Sequence, residues 1–478
     1  MGEDIGANFR FWDGLWDQLG ERFITTPQKA IFMQVTFIHT ADNHLGYEQY
    51  GLKERFNDFA RAFLGIIDDA IARHANFVVI AGDLFNKRAI DALTLIQAEE
   101  ALQRLKAAGI PAIAIEGNHD RSYYRDGISW LQFLSWQGLL QLLDPVWQNG
   151  RLGITPWSGE TMKGAYVDPV VAPNGARLRV YGLPWYGAST ARVMENFAAA
   201  LAERRAEEDT EGVAYRVLLL HTGVEGIVPQ MHGLPTRAQF EPLRGLVDYI
   251  ALGHVHKSYV IDNWLFNPGS TETWGAEESA WERGYFVTRV NTDVAEGEPK
   301  QVAEHIINPR RPFVRMNFQM DGLPDPTAVY EHFERFCAME ARKHGMSSDY
   351  EPPGGAPVVD ITLTGVLSFA GEALEASRLE EIAKSRFRAL TARVRNSTRD
   401  TDYDPLEGED DADGQDRSSR GELELHIFEE LLGRDARYQE HMRRWAQTLA
   451  EVKTLALDGE EPAAIAQRLR EARAALLG

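Results

Sequence analysis

Between residues 34 and 120 the chain alternates short, strand-like, largely apolar runs with longer stretches of helical period. QVTFIHTADNH (34–44) reads as a buried strand opening into a polar loop, and KERFNDFARAFLGIIDDAIARH (53–74) puts Phe56, Phe59, Phe63, Ile66 and Ile67 on one helical face. FVVIAGD (77–83) is a second buried strand, LTLIQAEEALQRLKAAG (93–109) a second helix stopped by Gly109 and Pro111, and PAIAIEGNHD (111–120) a third strand. Strands separated by helices imply βαβ units with right-handed crossovers and a sheet covered on both faces. The order restricts this region to the α/β class, in which functional loops lie beyond the carboxyl ends of the strands. YRVLLLH (215–221) and VDYIALGHVH (247–256) repeat the pattern later in the chain.

What ends each run matters more than the run. The five strand ends deliver Asp42 and His44, Asp83, Asn118 and His119, His221, then His254 and His256. One histidine after a strand is ordinarily a hydrogen-bonded structural residue. An i, i+2 pair is different, because both side chains of an extended segment point to the same side; Asp42 with His44 and His254 with His256 satisfy this. Gly82, Gly117 and Gly253 beside the polar residues permit a sharp turn that aims a side chain inward. Imidazoles with carboxylates and no thiolate suit divalent ions such as Mn²⁺, Fe²⁺ or Zn²⁺. Seven such ligands exceed one ion and suit two with a bridging carboxylate, at the roughly 3.5–4 Å spacing used in displacement at phosphorus. The implied chemistry is hydrolysis of a phosphate ester. No GxxxxGK[ST] loop is present, so a nucleotide-driven motor is not encoded.

At 478 residues the chain exceeds one usual core, so two or three domains are expected. The net charge of −21 argues against broad attraction to nucleic acid but leaves room for local cations supplied by bound metal. No run is long and apolar enough for a membrane span, and no secretory signal opens the chain. Cys337 is the one cysteine, so an internal disulfide is excluded and a reducing cytoplasm is the simplest compartment; its helical setting marks it as a small buried apolar residue. Residues 1–32 carry Phe9, Trp12, Leu15, Trp16, Leu19 and Phe23 at helical spacing, an extension that docks on this protein or a partner, or is a tag.

The α/β domain is expected over 33–308. Residues 309–399 read as strand, helix, strand, helix, strand, a small α/β module with no ligand-like cluster, suited to covering a site made elsewhere. The next segment, 400–420, is expected to be a flexible linker, with nine acidic and no basic residues between Asp400 and Asp416. In 421–478, Tyr438, Met442, Trp445, Leu449 and Val452 form a helical stripe for a partner or for self-packing.

DNH (42–44), GDLF (82–85), GNHD (117–120), LLLHTG (218–223) and GHVH (253–256) resemble, in order and spacing, the five signature motifs of the calcineurin-like metallophosphoesterases. More narrowly, HTADNHLG (39–46), AGDLFN (81–86), YGLPW (181–185) and NPGSTE (267–272) resemble the SbcD-type double-strand-break repair exonucleases. The close resemblance covers roughly residues 33–310. It implies a β-sandwich flanked by helices, a capping domain over 309–399 and a helical tail that holds an SbcC-type, SMC-like ATPase; a hexameric DNA translocase fits the tail equally well. It implies a Mn²⁺-dependent homodimer acting on DNA ends. Asp42, His44, Asp83 and His256 are assigned to one metal and Asp83, Asn118, His221 and His254 to the other. His119 becomes the histidine that protonates the leaving 3′ oxygen, and Asp120 either orients His119 or braces the loop.

Where many family members have a phosphate-positioning histidine, this chain has Asn86, followed by Lys87 and Arg88, a pair suited to contacting the DNA backbone or to solvation. Tyr123 and Tyr124 are candidates to stack on a frayed base, or to pack as ordinary aromatics. Two rival readings are a phosphomonoesterase or cyclic-nucleotide phosphodiesterase of the same fold, and a scaffold recruited through the tail. The first leaves the second module and the tail idle; the intact ligand set argues against the second.

Overall fold

The computed structural model describes residues 34–122, 127–171, 176–291, 300–346, 354–400, 425, 428–429, 432, 438, 441–457 and 462–477. The leader, Tyr123, Tyr124 and the acidic stretch beyond residue 400 lie outside the described residues. The chain divides into two compact units, one of Met1–Met316, Cys337–Ile361 and Glu380–Arg393, the other of Asn317–Phe336, Thr362–Leu379 and Val394–Gly478.

The first unit carries β1 (Gln34–Thr40), β2 (Phe77–Ile80), β3 (Ala112–Ala114), β4 (Gln141–Leu142), β5 (Val146–Gln148), β6 (Arg151–Gly153), β7 (Tyr166–Val171), β8 (Arg177–Leu183), β9 (Val213–Leu220), β10 (Tyr249–Leu252), β11 (Tyr259–Ile261), β12 (Leu265–Asn267), β13 (Gly284–Asn291) and β14 (Gln301–Ile307). One six-stranded sheet runs β14-β13-β1-β2-β3-β4, parallel from β1 to β4 and antiparallel where β13 joins β1 and β14. The other runs β11-β12-β10-β9-β8-β7, parallel from β12 through β8. Strands β5 and β6 pair as a separate hairpin.

Strand periodicity explains the layers. In β2, Val78 and Ile80 face the helices Lys53–Ala72 and Ala92–Ala107, while Phe77 and Val79 enter a central core with Phe37, Ile113, Val180, Val217 and Tyr249. In β10 the alternation repeats, Ile250 and Leu252 facing the helix Thr190–Thr210 side and Tyr249 and Ala251 the centre. The fold is therefore a β-sandwich with helices on its outer faces, as the resemblance implies. The expected covering of both faces of the first sheet holds, but its second cover is the other sheet.

The segment after residue 312 runs strand Phe313–Gln319, helix Pro326–Lys343, strand Val358–Thr364, helix Ala376–Phe387 and strand Thr391–Asn396. Cys337 is fully buried, as its setting suggests. In the tail, helices Met442–Leu457 and Pro462–Leu477 bury Trp445, Ala446 and Ala472, and an Arg468–Glu451 ion pair joins them. Among the described residues no helix is long and apolar enough to cross a membrane.

Candidate metal centre

The loops that leave β1, β2, β3, β9 and β10 meet at one edge of the sandwich, three from the first sheet and two from the second. Backbone bonds lock the first two loops together: Asn43 and His44 N–H donate to the Asp83 carbonyl at 2.9 and 3.1 Å, and Leu45 N–H to Leu84 at 2.8 Å. Asp42, His44, Asp83 and His254 all have left-handed backbone, with φ of 50°, 48°, 50° and 79°. Such conformations cost non-glycine residues about 1–3 kcal/mol each and collect where surrounding structure over-determines them. The expected role of glycine holds for Gly82, whose φ is 91°. Gly117 and Gly253 serve differently: at neither is φ positive, but a Cβ on Gly117 would collide with Asp83 Oδ1 and one on Gly253 with the Ala81 carbonyl.

Three side-chain groups converge closely enough to hold a metal ion: Asp42, His44 and His256; Asp83, His221 and His254; and His44, Asp83 and His119, the ligand atoms of each group lying within 4.8 Å of one another. Asn118 joins them, its Oδ1 2.9 Å from His254 Nδ1 and 3.2 Å from His221 Nε2. Every candidate ligand is thus brought to one place, and His119 lies within ligand reach of it too.

The donors fit divalent metal on physical grounds. His44 Nε2 stands 3.0 Å from His256 Nε2, close enough for one ring to donate an N–H to the other or for both lone pairs to face a shared cation. His44 Nδ1 is buried and has no hydrogen-bond partner among the described residues. Burial pushes Asp42 up to about 6, although neighbouring histidines pull it back, which marks a buried carboxylate short of positive charge. Burial takes His254 down to about 3 and His44 well below its ordinary range, so both present neutral imidazoles, the form that can bind a metal. His221 is the exception: burial lowers it, but the Asp83 charge and hydrogen bond, Oδ2 to Nε2 3.2 Å, outweigh that and raise it to about 9. Its Nδ1–H donates to the Ala81 carbonyl at 2.7 Å, which leaves Nε2 as the ring nitrogen available to a metal.

His119 donates from Nδ1 to the Asn86 carbonyl at 2.7 Å, which leaves Nε2 as the ring nitrogen with a lone pair, and its main-chain N–H donates to Asp83 Oδ1 at 2.9 Å. Asp120 makes its side-chain hydrogen bonds to the backbone of the second and third loops. Its carboxylate accepts backbone N–H bonds from Gly117 and Phe85, each at 3.0 Å, and from Leu84 at 3.3 Å, bracing the third strand end against the second. Lys87 and Arg88 are exposed, and Arg88 donates to the Asn118 carbonyl at 3.3 Å.

Two residues escaped sequence reasoning. Glu278 accepts from His256 Nδ1 at 2.9 Å, fixing the tautomer that leaves Nε2 free, and fully buried Arg283 holds Glu278 at 3.1 Å. Nothing in GAEES (275–279) marked Glu278 apart from its neighbour Glu277. Replacing Glu278 with glutamine is expected to weaken metal binding about 10–100-fold, measured by metal titration of the stripped protein. Unchanged affinity would show that the contact is idle.

Residues 35–258 match the calcineurin-like phosphoesterase family, so the chain carries a metallophosphoesterase domain. Its relatives are more particular. It is 33% identical over 249 residues to the DNA double-strand break repair protein Mre11 of Archaeoglobus fulgidus, covering 51% of this chain and 52% of that protein. It is 28% identical over 312 residues to the Mre11 of Methanosarcina mazei, covering 63% of this chain and 43% of that protein. The chain thus spans about half the length of these relatives.

Proposed function

We propose that this protein is a two-metal, Mn²⁺-dependent phosphodiesterase acting on DNA ends. The observation that carries the reading is the convergence, in a metallophosphoesterase domain, of seven ligand-type side chains around a histidine whose Nε2 is left to work. The relatives named for double-strand break repair point to the substrate. Asp42, His44, Asp83 and His256 would hold one ion and Asp83, Asn118, His221 and His254 the other. When bound, the ions supply Lewis-acid charge against the phosphate and an activated hydroxide. His119 Nε2 delivers the proton to the leaving 3′ oxygen, and exposed Lys87 and Arg88 meet the DNA backbone.

The domain 33–308 would do the chemistry, 309–399 cap it, and 421–478 hold an SMC-like ATPase of the SbcC type. Leu93 and Ile96, 60% and 55% exposed on one helix, support a homodimer contact. The test is degradation of linear duplex DNA with Mn²⁺, set against turnover of 4-nitrophenyl phosphate. Metal-dependent loss of the duplex with little ester turnover is expected. Efficient ester turnover with intact DNA would overturn the reading in favour of a phosphomonoesterase.

A further inference from the structure

The loop after β12 brings Trp274 against the metal centre, its ring 5.6 Å from the His256 ring and 6.1 Å from that of His44. The residue is held from several sides. Its ring stacks on Tyr47 at 5.3 Å, and Tyr47 leans edge-on against buried Phe59. Its carbonyl accepts from Gln49 Nε2 at 2.7 Å, and fully buried Arg55 donates to Gln49 Oε1 at 2.8 Å and to the preceding Thr273 carbonyl at 2.9 Å. From this clamped position Trp274 Nε1–H donates to Asn86 Oδ1 at 3.1 Å.

That bond fixes the sense of the Asn86 carboxamide, because an indole N–H only donates and must face the oxygen. The rest of Asn86 is also committed: its N–H donates to the Leu45 carbonyl at 2.9 Å, and its own carbonyl accepts from His119 Nδ1 at 2.7 Å. Only the Nδ2 hydrogens remain to be used, on a residue that touches both the proton-carrying histidine and the aromatic wall. We propose that Trp274 is a positioning residue that holds the Asn86 carboxamide with its Nδ2 donors toward the scissile phosphodiester. The pair supplies an uncharged donor beside His119 that no change of pH removes. This rests on the phosphodiesterase reading above.

The experiment is a double-mutant cycle in the Mn²⁺-loaded full-length protein, following kcat and KM on linear duplex DNA. Asn86→Ala is expected to lower kcat about 10–100-fold, the range for losing a hydrogen bond to a charged group. Trp274→Phe keeps a ring on Tyr47 but lets the carboxamide turn, and is expected to cost about tenfold, falling on kcat rather than KM. In the Asn86→Ala background the same change is expected to cost nothing further. Asn86→Asp, which still satisfies the indole N–H but presents a carboxylate oxygen to the phosphate, is expected to be worse than alanine. It should also weaken binding of a phosphorothioate-linked duplex measured with Ca²⁺. Additive losses in the cycle, or aspartate performing as well as asparagine, would overturn the role of Trp274 while leaving the nuclease reading intact. A wild-type protein that fails to cleave DNA would overturn both.

Discussion

Asp83→Asn is expected, on the two-metal nuclease reading proposed above, to leave a folded protein that has lost at least one metal ion and at least about 10³-fold of its DNA cleavage. Asparagine is the right replacement because the position has a φ of 50°, which Asn and Asp tolerate better than other side chains. The Asp83 carbonyl, which ties down Asn43 and His44, is untouched by the change. What disappears is one buried negative charge, and its neighbours show how much leans on it. Asp83 Oδ2 lies 3.2 Å from His221 Nε2, and Asp83 belongs to two of the three convergent ligand groups.

The same substitution has a signature without metal. In the stripped protein His221 is raised from 6.5 to about 9, despite burial, by Asp83. Its folded pKa exceeds its unfolded one, so the stabilisation is fully present below pH 6.5 and is lost as pH rises through about 9. Thermal melts of the stripped wild type should therefore decline across that window, and those of the asparagine variant should not show this decline. A variant that keeps two metal equivalents and cleaves DNA within about tenfold of wild type would sink the bridging role.

Much of the site was legible because each ligand lies just past a largely apolar run. An apolar run that stops on Asp, Asn or His must emerge at a sheet edge, and parallel strands emerge at the same edge. The sandwich was less legible from pattern alone. Ile38, Val78 and Ile80 are as apolar as Phe37, Phe77 and Val79, so the strands do not say which face meets helices and which meets a second sheet; that came from the family resemblance. Least legible were residues whose roles depend on loops far from the motifs. Glu278 follows His256 by more than twenty residues and sits beside an equivalent-looking Glu277. Asp120 left two roles open because both need a short side chain after His119; three backbone N–H groups, visible only in the folded loops, match the bracing one. The left-handed backbone at Asp42, His44, Asp83 and His254 had no sequence signal either, since the tolerance of Asp and His for that region is too modest to forecast it.

His119→Ala is expected to reduce kcat on DNA by about 10²–10⁴-fold, the usual contribution of a positioned general acid. The prediction depends on separating proton delivery from metal binding, because His119 also lies within ligand reach of His44 and Asp83. Two readouts separate them. Metal content should stay at the wild-type level if the ring only delivers a proton; a lost ion would instead make His119 a ligand. The second readout is the leaving group. A bis(4-nitrophenyl) phosphate ester expels nitrophenolate, which leaves without a proton, whereas the 3′ oxygen of DNA needs one. The alanine variant should therefore lose far more activity on DNA than on the nitrophenyl diester. Equal losses on both would mean that the imidazole stabilises charge at phosphorus, with the proton arriving by another route. The Nδ1 bond to the Asn86 carbonyl makes this a test of one atom: it holds Nδ1 protonated and leaves Nε2 as the nitrogen that would exchange a proton with the substrate in the proposed role.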